Sequence, residues 1–228
     1  AQWLSRKGAG EVLLVSRRAP SAEVAAQLQQ WRTLSDAEGA TVETPIVALS
    51  VDIADEQAVS QLFTDIEDDH MPLGGIIHAA GLLADNMLLK QDPAAYARVM
   101  APKAVGAYLL HQASRELPLD FFIGFSSISS LFGSPGQSNY AAANAVLDGL
   151  IHHRAQLALP AISINWGPWL EAGMAARMNA SERARFAAQG IGMLSSDHGL
   201  AALEHILQCD ATQRAVVPVD WNRFLRLL

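Results

Sequence analysis

The sequence predicts a doubly wound α/β fold, a parallel sheet with helices on both faces. Three observations predict it. Short apolar runs alternate along the chain with stretches of helical length and periodicity. The runs are apolar at successive positions, as strands are when both faces of their sheet are covered. Polar and glycine-bearing positions recur just after the runs, where sheets of this class gather ligands.

In chain order, residues 1–7 (AQWLSRK) read as the tail of a helix closed by Gly8, since glycine accepts the left-handed turn that ends helices. Residues 11–15 (EVLLV) read as a buried strand and 22–34 as a helix. Residues 42–51 read as one strand closed by Asp52. A helix follows over 56–67, then the short strand 75–78 (GIIH), which runs into Ala79, Ala80 and Gly81. One long helix is expected over 96–115, a strand over 120–125 (DFFIGF), a helix over 139–157 and a strand over 161–165 (AISIN). The last pair is a helix over 197–208 and a strand over 215–217. Right-handed crossovers between parallel strands would place Ser16 and Arg17, Asp52, His78 to Gly81, Ser126 and Ser127, and Gly167 and Pro168 along one Rossmann-like edge. Residues 167–193 are the least regular stretch and read as a lid, or else as a plain surface connection. Folds of this class open with a strand, a glycine-rich turn and a helix, yet no GxGxxG occurs here. The expectation is a single, N-terminally truncated catalytic domain over 1–228, with the first strand and pyrophosphate loop absent from this chain and with poor reduction by the chain alone unless that segment is supplied.

Composition narrows the function. The chain has 228 residues, of which 50% are hydrophobic and 17% charged, enough apolar material for a sizeable core. A net charge of -7 argues against a general nucleic-acid surface or an anionic membrane as partner. No apolar run approaches the roughly 20 residues needed to span a bilayer. Cys209 is the only cysteine, so no internal disulfide is possible, which fits a reducing cytoplasm. It reads as a packing residue rather than a nucleophile. The histidines show no metal-ligand spacing.

The chemistry is carried by Tyr140, Asn144, Ser127 and Lys103. Tyr140 and Asn144 stand four apart on one predicted helix and share a face. A tyrosine has an ordinary pKa near 10 and needs a nearby cation to give up its proton near neutrality. Lys103, on the preceding long helix, is the candidate cation. Ser127, at a strand end, can donate to a carbonyl oxygen. Together these groups would polarise a ketone while a hydride arrives from a nicotinamide. Taken singly, Tyr140 and Ser127 could merely cap and pack a helix. Arg17 follows the strand 11–15, where an adenosine ribose lies in such folds. An arginine there pairs with a 2′-phosphate and favours NADPH, although Arg17 and Arg18 also suit a solvated turn. Ser16 lies beside it. Ala79, Ala80 and Gly81 are small enough to let a cofactor approach the backbone. His78 lies at the same strand end and reads as structural.

The segments VLLVSRR (12–18), IIHAAGLLADNML (76–88), VMAPKAVGAYLLH (99–111), FFIGFSSISSLFGSPGQSNYAAANAVLDGL (121–150) and INWGPW (164–169) carry a resemblance. Over nearly its whole length the chain resembles the ketoreductase domains of modular polyketide synthases, relatives of the short-chain dehydrogenases. In that family the lysine sits on the earlier helix and the asparagine follows the tyrosine, and Lys103 and Asn144 match this exchange. The resemblance implies Tyr140 as proton donor, Ser127 as oxygen anchor, Lys103 as cation for Tyr140 and the ribose, and Asn144 as support. It further implies that Asp52 accepts from the adenine amine and that Ile53 packs on the ring. The implied partners are an acyl carrier protein bearing its chain on phosphopantetheine, and a preceding segment or structural subdomain of the same synthase.

Two family motifs bear on the face of the ketone that is attacked. One group has leucine-aspartate-aspartate after HAAG; this chain has Leu83, Ala84 and Asp85. The other has a tryptophan eight positions before the tyrosine; this chain has Phe132. The resemblance therefore implies the D-configured β-hydroxyacyl product, with Asp85 and Phe132 flanking the path of the substrate arm; Asp85 would otherwise simply cap a turn. Two rival readings are a free-standing short-chain dehydrogenase acting on a small ketone, and a non-reducing structural domain. The presence of all four site residues speaks against the second rival.

Overall fold

The computed structural model describes residues 1–35, 41–171, 178 and 180–227. The chain divides into two compact units, Ala1–Leu73 and Gly74–Leu228.

The first unit opens with helix α1 (Gln2–Arg6). Gly8, at φ +83°, lets its own N–H reach Ser5 and that of Ala9 reach Leu4, which satisfies the last carbonyls. Strand β1 (Val12–Ser16) is followed by α2 (Ala22–Arg32), shorter than the 22–34 expected. The single strand expected over 42–51 is two. Strand β2 (Thr33–Ser35) pairs antiparallel with β3 (Thr41–Glu43), and β4 (Ile46–Ser50) pairs parallel with β1. Pro45 lacks an N–H and cannot continue a ladder, so the chain changes partner there. Thr44, fully buried, anchors the break: its N–H donates to Arg32 O and its Oγ1 to Ala9 O. Val12, Leu28 and Ile46 form the core between β1, α2 and β4. Helix α3 (Glu56–Asp69) begins at Asp55, whose side chain accepts from Ala58 N–H.

The second unit holds β5 (Gly75–His78), and then α4 (Pro93–Met100) capped by Asp92. The long helix expected over 96–115 is interrupted. A π-turn (Ala101–Val105) separates α4 from α5 (Gly106–Ser114). Pro102 causes it: without an N–H, and with a ring that crowds the preceding turn, proline cannot sustain the α pattern. Next come β6 (Phe121–Ser127), the short α6 (Ser129–Phe132), α7 (Ser138–Gln156) and β7 (Ile162–Trp166). Then follow α8 (Ala180–Ala188), α9 (Ser196–Leu207), β8 (Gln213–Val216) and α10 (Trp221–Phe224). The stretch 167–193, read as irregular, thus contains α8; residues 172–177 and 179 of it lie outside the described residues.

The strands of this unit are all parallel, in the order β5-β6-β7-β8. β7 is buried along its whole length. Arg154 on α7 is also fully buried. Its guanidinium stacks 4.1 Å from the Phe122 ring centroid and donates to His111 Nδ1 and to Pro160 O, tying α7 to α5 and β6. That bracing joins the last turn of α7 to the start of β6; the candidate site lies at the other end, where β6 finishes and α7 begins.

Candidate active site

Ser127 is the last residue of β6, not a residue beyond it, because the strand runs two positions further than the sequence suggests. Its Oγ accepts the N–H of Ser129 at 3.1 Å, which leaves the hydroxyl proton free for another acceptor.

Tyr140 and Asn144 lie on α7, one turn apart. Asn139, fully buried, fixes the start of the helix. Its Oδ1 accepts Tyr140 N–H at 2.7 Å and its Nδ2 donates to Ala84 O at 2.8 Å. Gln137 donates to Asp85 Oδ2 at 2.8 Å, and Asn86 N–H donates to Gly136 O at 2.9 Å. The loop after β5 is thus stitched to the loop before α7. Asn144 Nδ2 donates to Tyr140 O at 2.8 Å, while its Oδ1 is buried with no partner. Burial pushes the Tyr140 phenol above its ordinary pKa, the side chains of Asn144 and Ser127 oppose the shift, and Asp85 adds to it.

Lys103 sits in the π-turn and is 3% exposed. Its Nζ donates to Phe125 O at 2.8 Å. Burial drives its pKa down to about 8, with the Asp148 carboxylate working the other way. Lys103 is not among the groups that shift the Tyr140 phenol, which burial raises, and its Nζ meets Phe125 O.

His78 is buried at the end of β5, with Nε2 3.0 Å from Lys103 O. Burial first, then the charge of Lys103, lower its pKa to about 4. Its ring is engaged by the π-turn. Gly81 packs beside Lys103. A Cβ there would stand 3.0 Å from Lys103 Cε, so the small residue makes room for the lysine. Ala79 is exposed and Ala80 half-buried.

A cavity of about 780 Å³ lies within the second unit, lined by Ala79, Lys103, Ser127, Tyr140 and Phe132 among others. Aromatic rings wall it: Trp166 lies between Phe125 and Trp169, and the Phe132 ring packs on Phe224 at 5.0 Å.

The first unit brings together the remaining candidates. Ser16 and Ser50 are paired at the ends of β1 and β4. Arg17 and Asp52, just beyond, are both exposed, while Ile53 is buried. Ser16 Oγ donates to Arg18 O at 2.7 Å, closing its turn, and Asp52 Oδ1 accepts Ala54 N–H at 3.0 Å.

Sequence reasoning missed Gln137, Asn139, Asp148 and Asn165. For Asn139, Asp148 and Asn165 the available signal was their polarity inside stretches that otherwise read as helix or strand; Gln137, in the turn before the helix, gave none.

Comparisons with known proteins agree on one family. The family model described as "KR domain" matches residues 1–171. The chain is 38% identical over 227 residues to a phenolphthiocerol/phthiocerol polyketide synthase of Mycobacterium tuberculosis, a match covering 99% of this chain and 10% of that protein. It is 38% identical to polyketide synthase GfsB of Streptomyces halstedii, covering 98% of this chain and 4% of that protein. Among solved structures it is similar to a ketoreductase domain from the bacillaene assembly line (28% identity, TM-score 0.87, 100% of this chain and 55% of that one). It is also similar to a structure described as A-type ketoreductases from a modular polyketide synthase (34% identity, TM-score 0.86, 99% and 46%). The chain therefore spans a tenth or less of these curated relatives and about half of these solved chains.

Proposed function

The chain belongs to the KR-domain family of modular polyketide synthases, and from that premise we propose that it reduces a β-ketoacyl thioester to the β-hydroxyacyl thioester with NADPH. The observation that carries the proposal is that Ser127, Tyr140 and Lys103 line one cavity, together with the rings of Phe125, Phe132 and Trp166.

The residues support the following division of labour. Ser127 Oγ accepts Ser129 N–H, and its hydroxyl would donate to the ketone oxygen and stabilise charge as it develops there. Tyr140, raised by burial, keeps its proton in the ground state and passes it to that oxygen once it becomes basic. Lys103, near 8, is a mostly charged group beside the site at neutral pH and can turn from Phe125 O toward a ribose hydroxyl. Asn144 holds the Tyr140 carbonyl and offers an unpaired Oδ1.

NADPH, when bound, would supply the hydride. Arg17, exposed at the end of β1, would meet the 2′-phosphate, with Ser16 in the same turn. Asp52 would accept from the adenine and Ile53 would pack on it. Ala79 would flank the nicotinamide at the cavity.

The substrate would arrive on the phosphopantetheine arm of an acyl carrier protein, within a synthase whose neighbouring segments include a structural subdomain, in the cytoplasm. Residues 167–193 would act as its lid: Trp169, Phe186 and Ile191 line the cavity. Asp85, tied to Gln137, and Phe132, on the cavity wall, would guide the arm toward the D-configured product.

The test is NADPH consumption by the protein on a diketide thioester, with the product identified by mass. Formation of the β-hydroxyacyl thioester is expected. Failure to reduce any β-ketoacyl thioester overturns the proposal.

A further inference from the structure

Asp148 lies on the face of α7 that carries Tyr140 and Asn144, at successive steps of four residues. It is 7% exposed. A buried carboxylate is tolerated only where it is paired or well hydrogen-bonded. Here the donors come from two other elements. Oδ2 accepts Ser130 Oγ of α6 at 2.7 Å and Asn165 Nδ2 of β7 at 3.0 Å, and Oδ1 accepts Ser163 Oγ of β7. Asn165 Nδ2 is also 3.3 Å from Ser127 O and 3.1 Å from Ser126 Oγ, and Ser130 Oγ is 2.9 Å from Ser127 O. Gln213 of β8 donates to Asn165 Oδ1 at 2.9 Å and locks the amide orientation. Asp148 is thus one side chain removed from the backbone of Ser127.

We propose that Asp148 is a positioning residue for the reduction: through Asn165, whose Nδ2 reaches both the carboxylate and Ser127 O, it fixes the backbone at Ser127. The inference rests on the ketoreductase reading and deepens it. The carboxylate raises the lysine against the effect of burial. Other ionisable groups on the elements packed against the π-turn do not take this part. On α4, Arg98 is exposed and Tyr96 donates to Ser138. His111 of α5 faces Arg154 and His153 of α7. His78 of β5 is held neutral, and Tyr140 of α7 keeps its proton.

Two readouts test this. The first needs no turnover. Lys7, Lys90 and Lys103 are the chain's lysines, so the ¹³Cε signal of Lys103 can be assigned with Lys103→Met and titrated. Asp148→Asn, which keeps the shape and removes the charge, should move the Lys103 midpoint down by about one pH unit or more. Asp148→Glu should restore most of that midpoint. An unchanged midpoint in Asp148→Asn overturns the link from Asp148 to Lys103. The second readout is steady-state kinetics. Asp148→Ala should lower kcat roughly tenfold or more while KM and NADPH affinity change by about twofold at most. In Asp148→Asn the alkaline fall of kcat should begin at lower pH, following the lysine. Equal kcat and an equal pH profile in both variants overturn the positioning role. If Asp148→Ala does not fold, Asp148→Asn decides. If the unmutated protein reduces nothing, the proposed function fails, and the Lys103 titration still decides the link from Asp148 to Lys103.

Discussion

His78 on β5 and Lys103 on the π-turn are joined side chain to backbone: the imidazole Nε2 stands 3.0 Å from the lysine carbonyl, and both residues are buried. With its pKa lowered to about 4, the ring is neutral at physiological pH, and Nε2–H donates to the carbonyl. The bond ties the backbone at Lys103 to the end of the sheet.

Burial of this ring, with the Lys103 charge beside it, makes stability depend on acid. The folded-state pKa of His78 lies below its ordinary 6.5. The stability it contributes is therefore full above pH 6.5 and is lost as pH falls toward 4. His78→Gln should flatten that part of the curve. His78→Ala leaves the carbonyl without its partner and should cost about 1–3 kcal/mol. Urea midpoints at neutral pH and near pH 5 check both; equal acid sensitivity in His78→Gln would refute the assignment.

Tyr140→Phe should lower kcat by about 10²- to 10⁴-fold and leave NADPH binding largely intact. The hydroxyl is the donor, whereas the ring and its helix are held by Asn139 and Asn144 through the backbone. Turnover and cofactor titration on the same preparation separate the two effects. Wild-type turnover would remove Tyr140 from the mechanism.

Arg17→Asp should erase or invert a preference for NADPH over NADH. The guanidinium is exposed at the end of β1, and an acidic group there repels a phosphate but accepts a ribose hydroxyl. Ratios of kcat/KM for the two cofactors measure it. Equal use of both by the unmutated protein contradicts the reading.

Gly199→Ala should destabilise the protein although alanine favours helices. Glycine costs a helix interior about 1 kcal/mol relative to alanine, which would argue for a gain. Against this, a Cβ at Gly199 would collide with Trp169 Cη2, and overpacking costs about 1–3 kcal/mol. The ring must move, and it is part of the cavity wall. Thermal unfolding and tryptophan fluorescence should both change; a raised Tm with an unaltered spectrum would show that the wall yields freely.

The product should be the D-configured alcohol, guided by the loop of Asp85 that Asn139 and Gln137 tie to α7. Chiral chromatography of the reduced diketide thioester measures it. A predominantly L-configured product overturns the role given to Asp85 and Phe132.

Much of this was legible in the sequence. Periodicity located the longer helices and the strands of the parallel sheet, because apolar runs of strand length and stripes of helical spacing are local signals, and it passed over the short β2, α6 and α10. The spacing of Tyr140 and Asn144 placed them on one helical face without any tertiary information. The errors fell where a single residue overrides the pattern. Pro45 split an apolar run into two strands with different partners, and Pro102 turned one helix into two joined by a π-turn. Helix α8 was missed because its alanine- and arginine-rich sequence lacks a clear apolar stripe.

By itself, then, the sequence determined the parallel α/β class and the identities of the groups that can move a proton, since both depend on residue type and short-range spacing. Only the tertiary structure decided how those groups are held. Lys103 is aimed by a proline-induced turn and by a histidine 25 positions away, Ser127 is braced by Asn165 from the next strand, and Asp148 draws its donors from α6 and β7. These contacts join residues far apart in the chain. They form because polar groups taken out of water must find partners wherever the fold brings them, and no local pattern encodes which partner that will be.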